Sequence, residues 1–408
     1  ASDVYKRQIV PETESVIFIV IGTVVPALAP SSSSTLAGDV DAYPIVLLSF
    51  CVYWYCNTGT GKAVYEVNIS TNSKQTEDGW SQIKPFIFLK LTNSDGFEGW
   101  GEAFSLPARE KGIVEIIHNL MSSLSNVKDI TPDRFYKESN LIADGHRGID
   151  FSAATSAIEM SLWDIEGKKE KKPLYKILSK DYREKVPVYA TIWSEDFKND
   201  ENLSSRCIET LSDGYGGIKI YPLQNRTVEQ AAKCVSKIRD VLGYKIPLML
   251  DLACPKDTNI SLKLASLVEE FRPYWFEEPV DGEATRALKD IREKTSLRIV
   301  SGEKQCGLNH FIETLALDAV DIFNPDISGV GGIIDMIKII KLSHEKKVTV
   351  SPHCWNSMSI AASAMVHVCM SFTNTEMAEF FPEYIPYSLK FSNQNYEIKD
   401  GFVKIEDN

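Results

Sequence analysis

Leu248-Met-Leu-Asp251, Tyr274-Trp-Phe-Glu277, Ile299-Val-Ser-Gly-Glu303 and Val348-Thr-Val-Ser-Pro-His353 share one design: a short apolar run that stops at an ionisable side chain. The design returns in Gly217-Ile-Lys-Ile-Tyr221, Val320-Asp-Ile-Phe-Asn-Pro-Asp326 and Glu376-Met-Ala-Glu379. From Lys219 to Glu379 these ionisable residues recur at intervals of 23 to 32 residues. A strand with its return helix takes about 30 residues, so each interval fits one βα unit. Seven units in register place seven polar side chains at the carboxyl ends of parallel strands, the rim where a (β/α) barrel keeps its active site. Capping of the following helix explains a single strand-end acid, not seven in succession.

Outward from this stretch the pattern continues. Residues 186–191 read as a first strand, giving eight strands that alternate with helices. No Gly-x-Gly-x-x-Gly follows any of them, so a barrel is favoured over an open doubly wound sheet. Thr227 and Gln230 form a capping box at one helix start, and Gly243 marks that helix's end. Residues 61–185 are different, with an α+β pattern. Asn93-Ser-Asp-Gly96 is a hairpin turn signal, helical spacing covers 111–124, and 151–178 reads as two helices joined near Gly167. The barrel is assigned to 186–380. The tail, 381–408, carries a hairpin about Asp400-Gly401 that is expected to return to the front part.

Residues 1–60 look foreign to the rest. Asp3-Val-Tyr-Lys-Arg-Gln8 resembles one translated frame of a transposase adapter used in shotgun DNA sequencing, and the segment is expected to be a non-native or disordered leader. Its two apolar runs are interrupted by Pro or Gly and fall short of the ~20 residues a membrane helix needs. The whole chain has 408 residues, 44% apolar and 25% charged, which suits a soluble protein of one large barrel plus an appendage. A net charge of −12 argues against nucleic acid and anionic membranes as partners. Eight scattered cysteines without zinc-like spacing read as reduced thiols of a cytoplasmic protein.

Asp251, Glu277 and Glu303 end consecutive strands. Left unpaired, three converging carboxylates repel one another and rise in pKa, which a hard divalent cation relieves. Oxygen ligands with open positions suit Mg²⁺, able to take substrate oxygens and steady a developing oxyanion. The competing reading, helix caps and Arg pairs, is the weaker one for acids on a barrel rim. Asp326 and His353 end the sixth and seventh strands as neighbours, and a carboxylate beside an imidazole makes a general base. Lys219 ends the second strand, with Tyr221 on the same face because strand side chains alternate. A snorkelling lysine is the bland alternative there.

These residues resemble the enolase superfamily, in its mandelate racemase-like, sugar-acid dehydratase branch. The resemblance runs from about Gly61 to Asn408. It is carried by Ala154-Thr-Ser-Ala-Ile-Glu-Met-Ser-Leu-Trp-Asp-Ile-Glu-Gly-Lys168, Trp275-Phe-Glu-Glu-Pro279, Asn324-Pro-Asp-Ile-Ser-Gly-Val-Gly-Gly332 and Ser351-Pro-His-Cys-Trp355, with Gly99-Trp-Gly-Glu-Ala103 as weaker support. It implies a modified (β/α)7β TIM-like barrel with an N-terminal α+β capping domain, closed by loops at 70–82 and 104–109. It implies Mg²⁺ on Asp251, Glu277 and Glu303, a small-molecule carboxylate substrate losing its α-proton, and commonly a homo-oligomer. It makes Glu278 and Trp355 substrate-binding positions. Glu379 matches the acid that hydrogen-bonds the enediolate, and is therefore expected to be protonated, with a raised pKa.

Two departures stand out. The family's second strand usually ends Lys-x-Lys, whereas this one reads Lys219-Ile-Tyr221. A racemase needs a base on each face of the α-carbon, and tyrosine is a poor base at neutral pH. A dehydratase needs one base, His353, and an acid for the leaving hydroxyl, His353 or Tyr221. The expectation is therefore a Mg²⁺-dependent hydro-lyase giving a 2-keto-3-deoxy acid. The rivals are a racemase or epimerase using Lys219 and His353, and a catalytically silent binding protein. The family also normally continues past a segment like 400–408 with a Pro-Gly-Leu-Gly stretch that is absent here, so clipped ends are expected.

Overall fold

The computed structural model describes residues 48–57, 60–70, 83–124, 127, 130–192, 199–355, 357–389, 392–393 and 396–405. The front part is a four-stranded antiparallel sheet, β1 (Leu48–Asn57), β2 (Thr60–Ser70), β3 (Ile83–Thr92) and β4 (Glu98–Ala103), in sequential order. The turn between β3 and β4 forms as its residue types dictate. The Asn93 side chain accepts from the backbone N–H groups of Asp95 and Phe97, at 3.1 and 2.9 Å, and Gly96 takes a left-handed φ of +84°. Helices α1 (Glu110–Ser123), α2 (Pro132–Ala143), α3 (Ile149–Glu170) and α4 (Leu174–Leu178) follow.

Helix α3 is the keystone between the two parts. Residues 152–162 are buried on every side, the mark of a helix clasped between layers rather than lying on a surface. Strand β4 approaches it so closely that a Cβ on Gly101 would lie 1.9 Å from the Ala157 carbonyl oxygen, and one on Gly99 2.0 Å from that of Ser161. No side chain fits there, which accounts for Gly99-Trp-Gly101. The two helices expected over 151–178 form, with Pro173 just before the second, but the break falls after Gly167. Helix α3 runs on to Glu170, and Lys171 ends it with a left-handed φ of +51°.

Eight parallel strands then close a barrel: β5 (Val186–Thr191), β6 (Ile218–Ile220), β7 (Leu248–Asp251), β8 (Trp275–Glu277), β9 (Ile299–Ser301), β10 (Ile322–Phe323), β11 (Thr349–Val350) and β12 (Ala378–Phe380). Strands β5 to β11 pair in order, and β12 pairs with β5. Closure between β11 and β12 rests on Val350, whose N–H donates to Asn374 and whose carbonyl accepts from Glu376. Helices α5 (Asp200–Ser212), α6 (Val228–Leu242), α7 (Thr258–Val268), α8 (Thr285–Arg292), α9 (Leu308–Ala316), α10 (Ile333–Glu345) and α11 (Ser359–Ser371) return between them, so the arrangement is (β/α)7β. Both halves of the Thr227–Gln230 capping box are made at the start of α6.

Strand alternation sorts the side chains. Tyr189, Met249, Trp275, Val300, Ile322 and Met377 form one cluster inside the barrel, while Leu248, Leu250, Phe276, Ile299, Phe323 and Ala378 belong to the core shared with the helices. Two residues further along the inward faces come Asp251, Glu277, Asn324 and Glu379. The front part docks on this barrel through buried carboxylates. Glu102 accepts from the N–H groups of Met358 and Ala361 at the start of α11, at 2.6 and 2.9 Å. Glu159 accepts from Ile334 N–H at the start of α10, at 2.7 Å. Both satisfy N–H groups that a helix terminus leaves orphaned.

Strand β1, paired with β2 from Leu48↔Ile69 to Asn57↔Thr60, falls inside the expected leader at 1–60; residues 1–47 lie outside those described, as does most of the expected loop 70–82. The tail hairpin, β13 (Tyr396–Lys399) and β14 (Phe402–Ile405), does not return to the front sheet. Strand β14 pairs antiparallel with β5 of the barrel, Val403↔Val186. The contact of 381–408 with the front sheet comes instead from Tyr384, whose ring lies edge-on to Phe86 at 5.7 Å.

Candidate active site at the carboxyl rim

Strands β7, β8 and β9 deliver Asp251, Glu277 and Glu303 to one place, with a ligand oxygen from each lying within 4.8 Å of the others. Asp251 and Glu277 are registered directly across the β7–β8 ladder. Burial lifts the carboxyl of Asp251 to about 6, with the charge of Glu303 adding to it, and lifts those of Glu277 and Glu303 as well. Two buried acids and a partly buried third that cannot all ionise comfortably, with oxygens converging on one point, fit a divalent cation. The donor set is all oxygen, as a hard ion requires.

Lys219 lies deeper than expected. It is fully buried, not at the rim, with its ammonium 2.6 Å from Glu277, 2.7 Å from Glu379 and 3.6 Å from Asp251. Burial opposes its charge, but these carboxylates outweigh that and hold its pKa well above the ordinary value. Glu379 corrects a second expectation. Burial pushes its pKa up, yet the Lys219 ammonium and His353 more than reverse this, and the carboxyl sits below the usual range. Every partner is a donor: Lys219, the Thr191 hydroxyl, and Cys354 N–H at 2.9 Å. These donors and the lowered pKa favour an ionised acceptor over the protonated donor expected.

Asp326 and His353 meet as the strand ends predict. Asp326 Oδ2 lies 2.8 Å from His353 Nδ1, and the other oxygen accepts from Ser328 N–H and Oγ, at 2.8 and 2.6 Å. This leaves Nε2 facing Glu303 Oε2 at 3.3 Å. Burial opposes the imidazolium, but Glu303, Glu379 and Asp326 together raise its pKa to about 10. Tyr221 is buried, and its electrostatic neighbours are Asp251, Lys219, Glu379 and Glu303, so it faces the same cavity. Burial foremost, then Asp251, keeps its hydroxyl protonated.

Glu278 does not face this cavity. A left-handed φ of +44° turns it behind the rim, where it is fully buried and accepts from Ser301 Oγ at 2.7 Å, Gly302 N–H at 3.1 Å and Cys254 Sγ at 3.0 Å. With its oxygens so engaged it braces the loop carrying Glu303 and is not placed to touch a substrate. Trp355 stands beside the base, its ring 6.2 Å from Phe104 of the front part, whose N–H donates to Ser328. The 104–109 loop thus reaches the site, as expected.

Residue-type reading passed over three supporting side chains. Asn324 Nδ2 donates to Glu277 Oε1 at 3.1 Å, Trp275 Nε1 donates to Glu277 Oε2 at 2.8 Å, and Thr191 holds Glu379. Alternation from Ile322 and from Tyr189 was the available signal for Asn324 and Thr191.

Against known proteins, residues 203–408 match the family model described as enolase C-terminal domain-like. Residues 63–179 match that of the mandelate racemase/muconate lactonizing enzyme N-terminal domain. The chain belongs to the mandelate racemase-like branch of the enolase superfamily. This member of the superfamily resembles an enolase from environmental shotgun sequencing of the Sargasso Sea: TM-score 0.79, 45% identity, 86% of this chain and 92% of that one. A 3,6-anhydro-D-galactonate cycloisomerase from Zobellia galactanivorans superposes with a TM-score of 0.74 at 26% identity, covering 84% of this chain and 93% of that one. Among curated relatives, a D-gluconate/D-galactonate dehydratase of Picrophilus torridus is 26% identical over 80% of this chain and 84% of its own. No helix among the described residues is long and apolar enough to cross a membrane.

Proposed function

We propose that this enzyme is a Mg²⁺-dependent dehydratase of a sugar acid or a related α-hydroxy acid. The observation that carries the reading is the Asp326–His353 pair, whose Nε2 lies against Glu303 of the Asp251, Glu277 and Glu303 cluster, with a tyrosine instead of a second amine at the end of β6. Mg²⁺ held by those three carboxylates would supply Lewis-acid polarisation of the substrate carboxylate, making its α-proton acidic.

Asp326 holds the Nδ1–H of His353, and a cation on Glu303 would offset the charge that keeps the imidazole protonated, leaving Nε2 to take the α-proton. Lys219 and Glu379 form a rigid ionic floor beneath the acids. Tyr221, or His353 once protonated, gives a proton to the departing β-hydroxyl. Where Tyr221 gives it, the proton held by His353 passes back to the tyrosinate, so the net loss is one water, and the resulting enol tautomerises to a 2-keto-3-deoxy acid. Similarity to the Picrophilus dehydratase supports this reading. Racemisation is the weaker one, because Lys219 is buried with its ammonium against Glu277 and Glu379, contacts that favour its protonated form over a second base.

The test is a screen of the full chain with Mg²⁺ against acid sugars, reading keto-deoxy product, with His353→Asn beside it. A hit that disappears in the variant is expected. Turnover that survives the substitution would remove His353 as the base.

A further inference from the structure

Two buried hydroxyls stand behind the Asp326–His353 pair. Ser328 Oγ donates to Asp326 Oδ1 at 2.6 Å, and Ser357 Oγ lies 3.0 Å from Ser328 Oγ. Both serines are buried, Ser328 completely. A hydroxyl has one proton to give, and a carboxylate oxygen only accepts. Ser328 spends its proton on Asp326, so Ser357 donates to Ser328. The chain of donors therefore runs one way, from Ser357 through Ser328 to Asp326, and each donation strengthens the next.

The Ser328 N–H on the same oxygen, at 2.8 Å, is the bond an Asp commonly makes to the turn that follows it. Ser357 has no such local reason. It comes from the loop between β11 and α11, 29 residues further on. The front part holds both serines in place. Phe104 N–H donates to the Ser328 carbonyl at 3.0 Å, and Glu102 accepts from Met358 N–H, next to Ser357, at 2.6 Å.

Two groups compete for Nδ1 of His353. Asp326 Oδ2, at 2.8 Å, accepts and so keeps a proton on that nitrogen. The Trp355 N–H, at 3.4 Å, donates and would send the proton to Nε2, where it disables the base. With Oδ1 pinned by Ser328, turning Oδ2 away from Nδ1 breaks both bonds to Oδ1.

We propose that Ser328 and Ser357 are positioning residues for the base, holding Asp326 so that His353 keeps its Nδ1–H and Nε2 stays open to the α-proton. This rests on the reading of His353 as the base. The experiment uses the full chain with Mg²⁺ and steady-state kinetics on D-gluconate and D-galactonate. Proton NMR follows the low-field Nδ1–H of His353, assigned by its loss in His353→Asn. S328A should lower kcat about tenfold, the scale of one hydrogen bond to a charged group, and leave KM within about twofold. Its Nδ1–H resonance should move upfield or vanish by exchange, while the calorimetric Kd for Mg²⁺ stays unchanged. S357A should show the same changes at smaller size, and it decides alone if S328A does not fold. A resonance unmoved by the substitutions, or absent from the unsubstituted chain, would overturn the proposal, as would a loss confined to KM. If neither acid is turned over while the resonance responds as expected, the sugar-acid reading fails and the positioning of His353 stands.

Discussion

His353 gathers most of the electrostatic tension of the molecule. Its pKa is raised to about 10 because Glu303, Glu379 and Asp326 overcome the burial penalty. A raised pKa means that the folded form holds a proton the unfolded chain releases above its ordinary value near 6.5. The stability this proton contributes is fully present below about pH 6.5 and is lost as pH rises toward 10. Thermal melts of the metal-free enzyme should therefore fall across that window, and His353→Asn should flatten the fall. An equal slope in the variant would place the effect elsewhere. Cation binding should act in the opposite sense on the same cluster. Mg²⁺ at a hundred times its Kd should add about 2.7 kcal/mol of stability. Glu303→Gln, at the most accessible of the three carboxylates, should abolish most of that gain. An undiminished shift would mean that the ion binds at another place.

At the scale of elements, the sharpest constraint is the approach of β4 to α3. A methyl group on Gly101 would overlap a backbone carbonyl of a helix that packs against both parts of the molecule. Gly101→Ala should cost about 3 kcal/mol, the upper end for overpacking, read as a lower urea midpoint with an unchanged slope. A cost near zero would show that β4 can shift. Much of this level was legible beforehand. The Asn93 turn, the Thr227 capping box and the strand-end acids are each written in a few adjacent residues, and local chemistry decides them. Depth and partner choice are not local. Periodicity placed Lys219 on the inward face but not one layer below the rim, because that depends on where strands from distant segments end. The tail hairpin was visible in Asp400-Gly401, yet its pairing with β5 rather than the front sheet is a choice between two edges that the hairpin itself does not encode. The turn of Glu278 behind the rim has no signature in residue type.

At the scale of the whole molecule, two buried acids of the front part cap two helices of the barrel and help hold the parts together. Burial raises Glu102 and Glu159 to about 8, against the hydrogen bonds they accept. Raised carboxyl values mean that the contribution of these protons is complete below about pH 4.5 and is lost as pH rises through 8. Docking of the front part should therefore loosen in mildly alkaline solution. Limited proteolysis at pH 6 and pH 9 should show faster cleavage between the two parts at the higher pH, with the difference reduced in a Glu102→Gln, Glu159→Gln double variant. A pH-independent pattern would exclude these carboxyls as the cause. Docking also brings Phe104 to Trp355 beside the base, so a looser front part should lower turnover as well.

The central claim is that one base, His353, starts an elimination and that no second base returns the proton to the other face. Turnover of a sugar acid in D₂O, followed by NMR of both substrate and product, tests it directly. Deuterium at C3 of the keto-deoxy product, with none at C2 of recovered substrate, is the predicted result. Deuterium at C2 of recovered acid with inverted configuration, without loss of water, would contradict it and make the enzyme an epimerase.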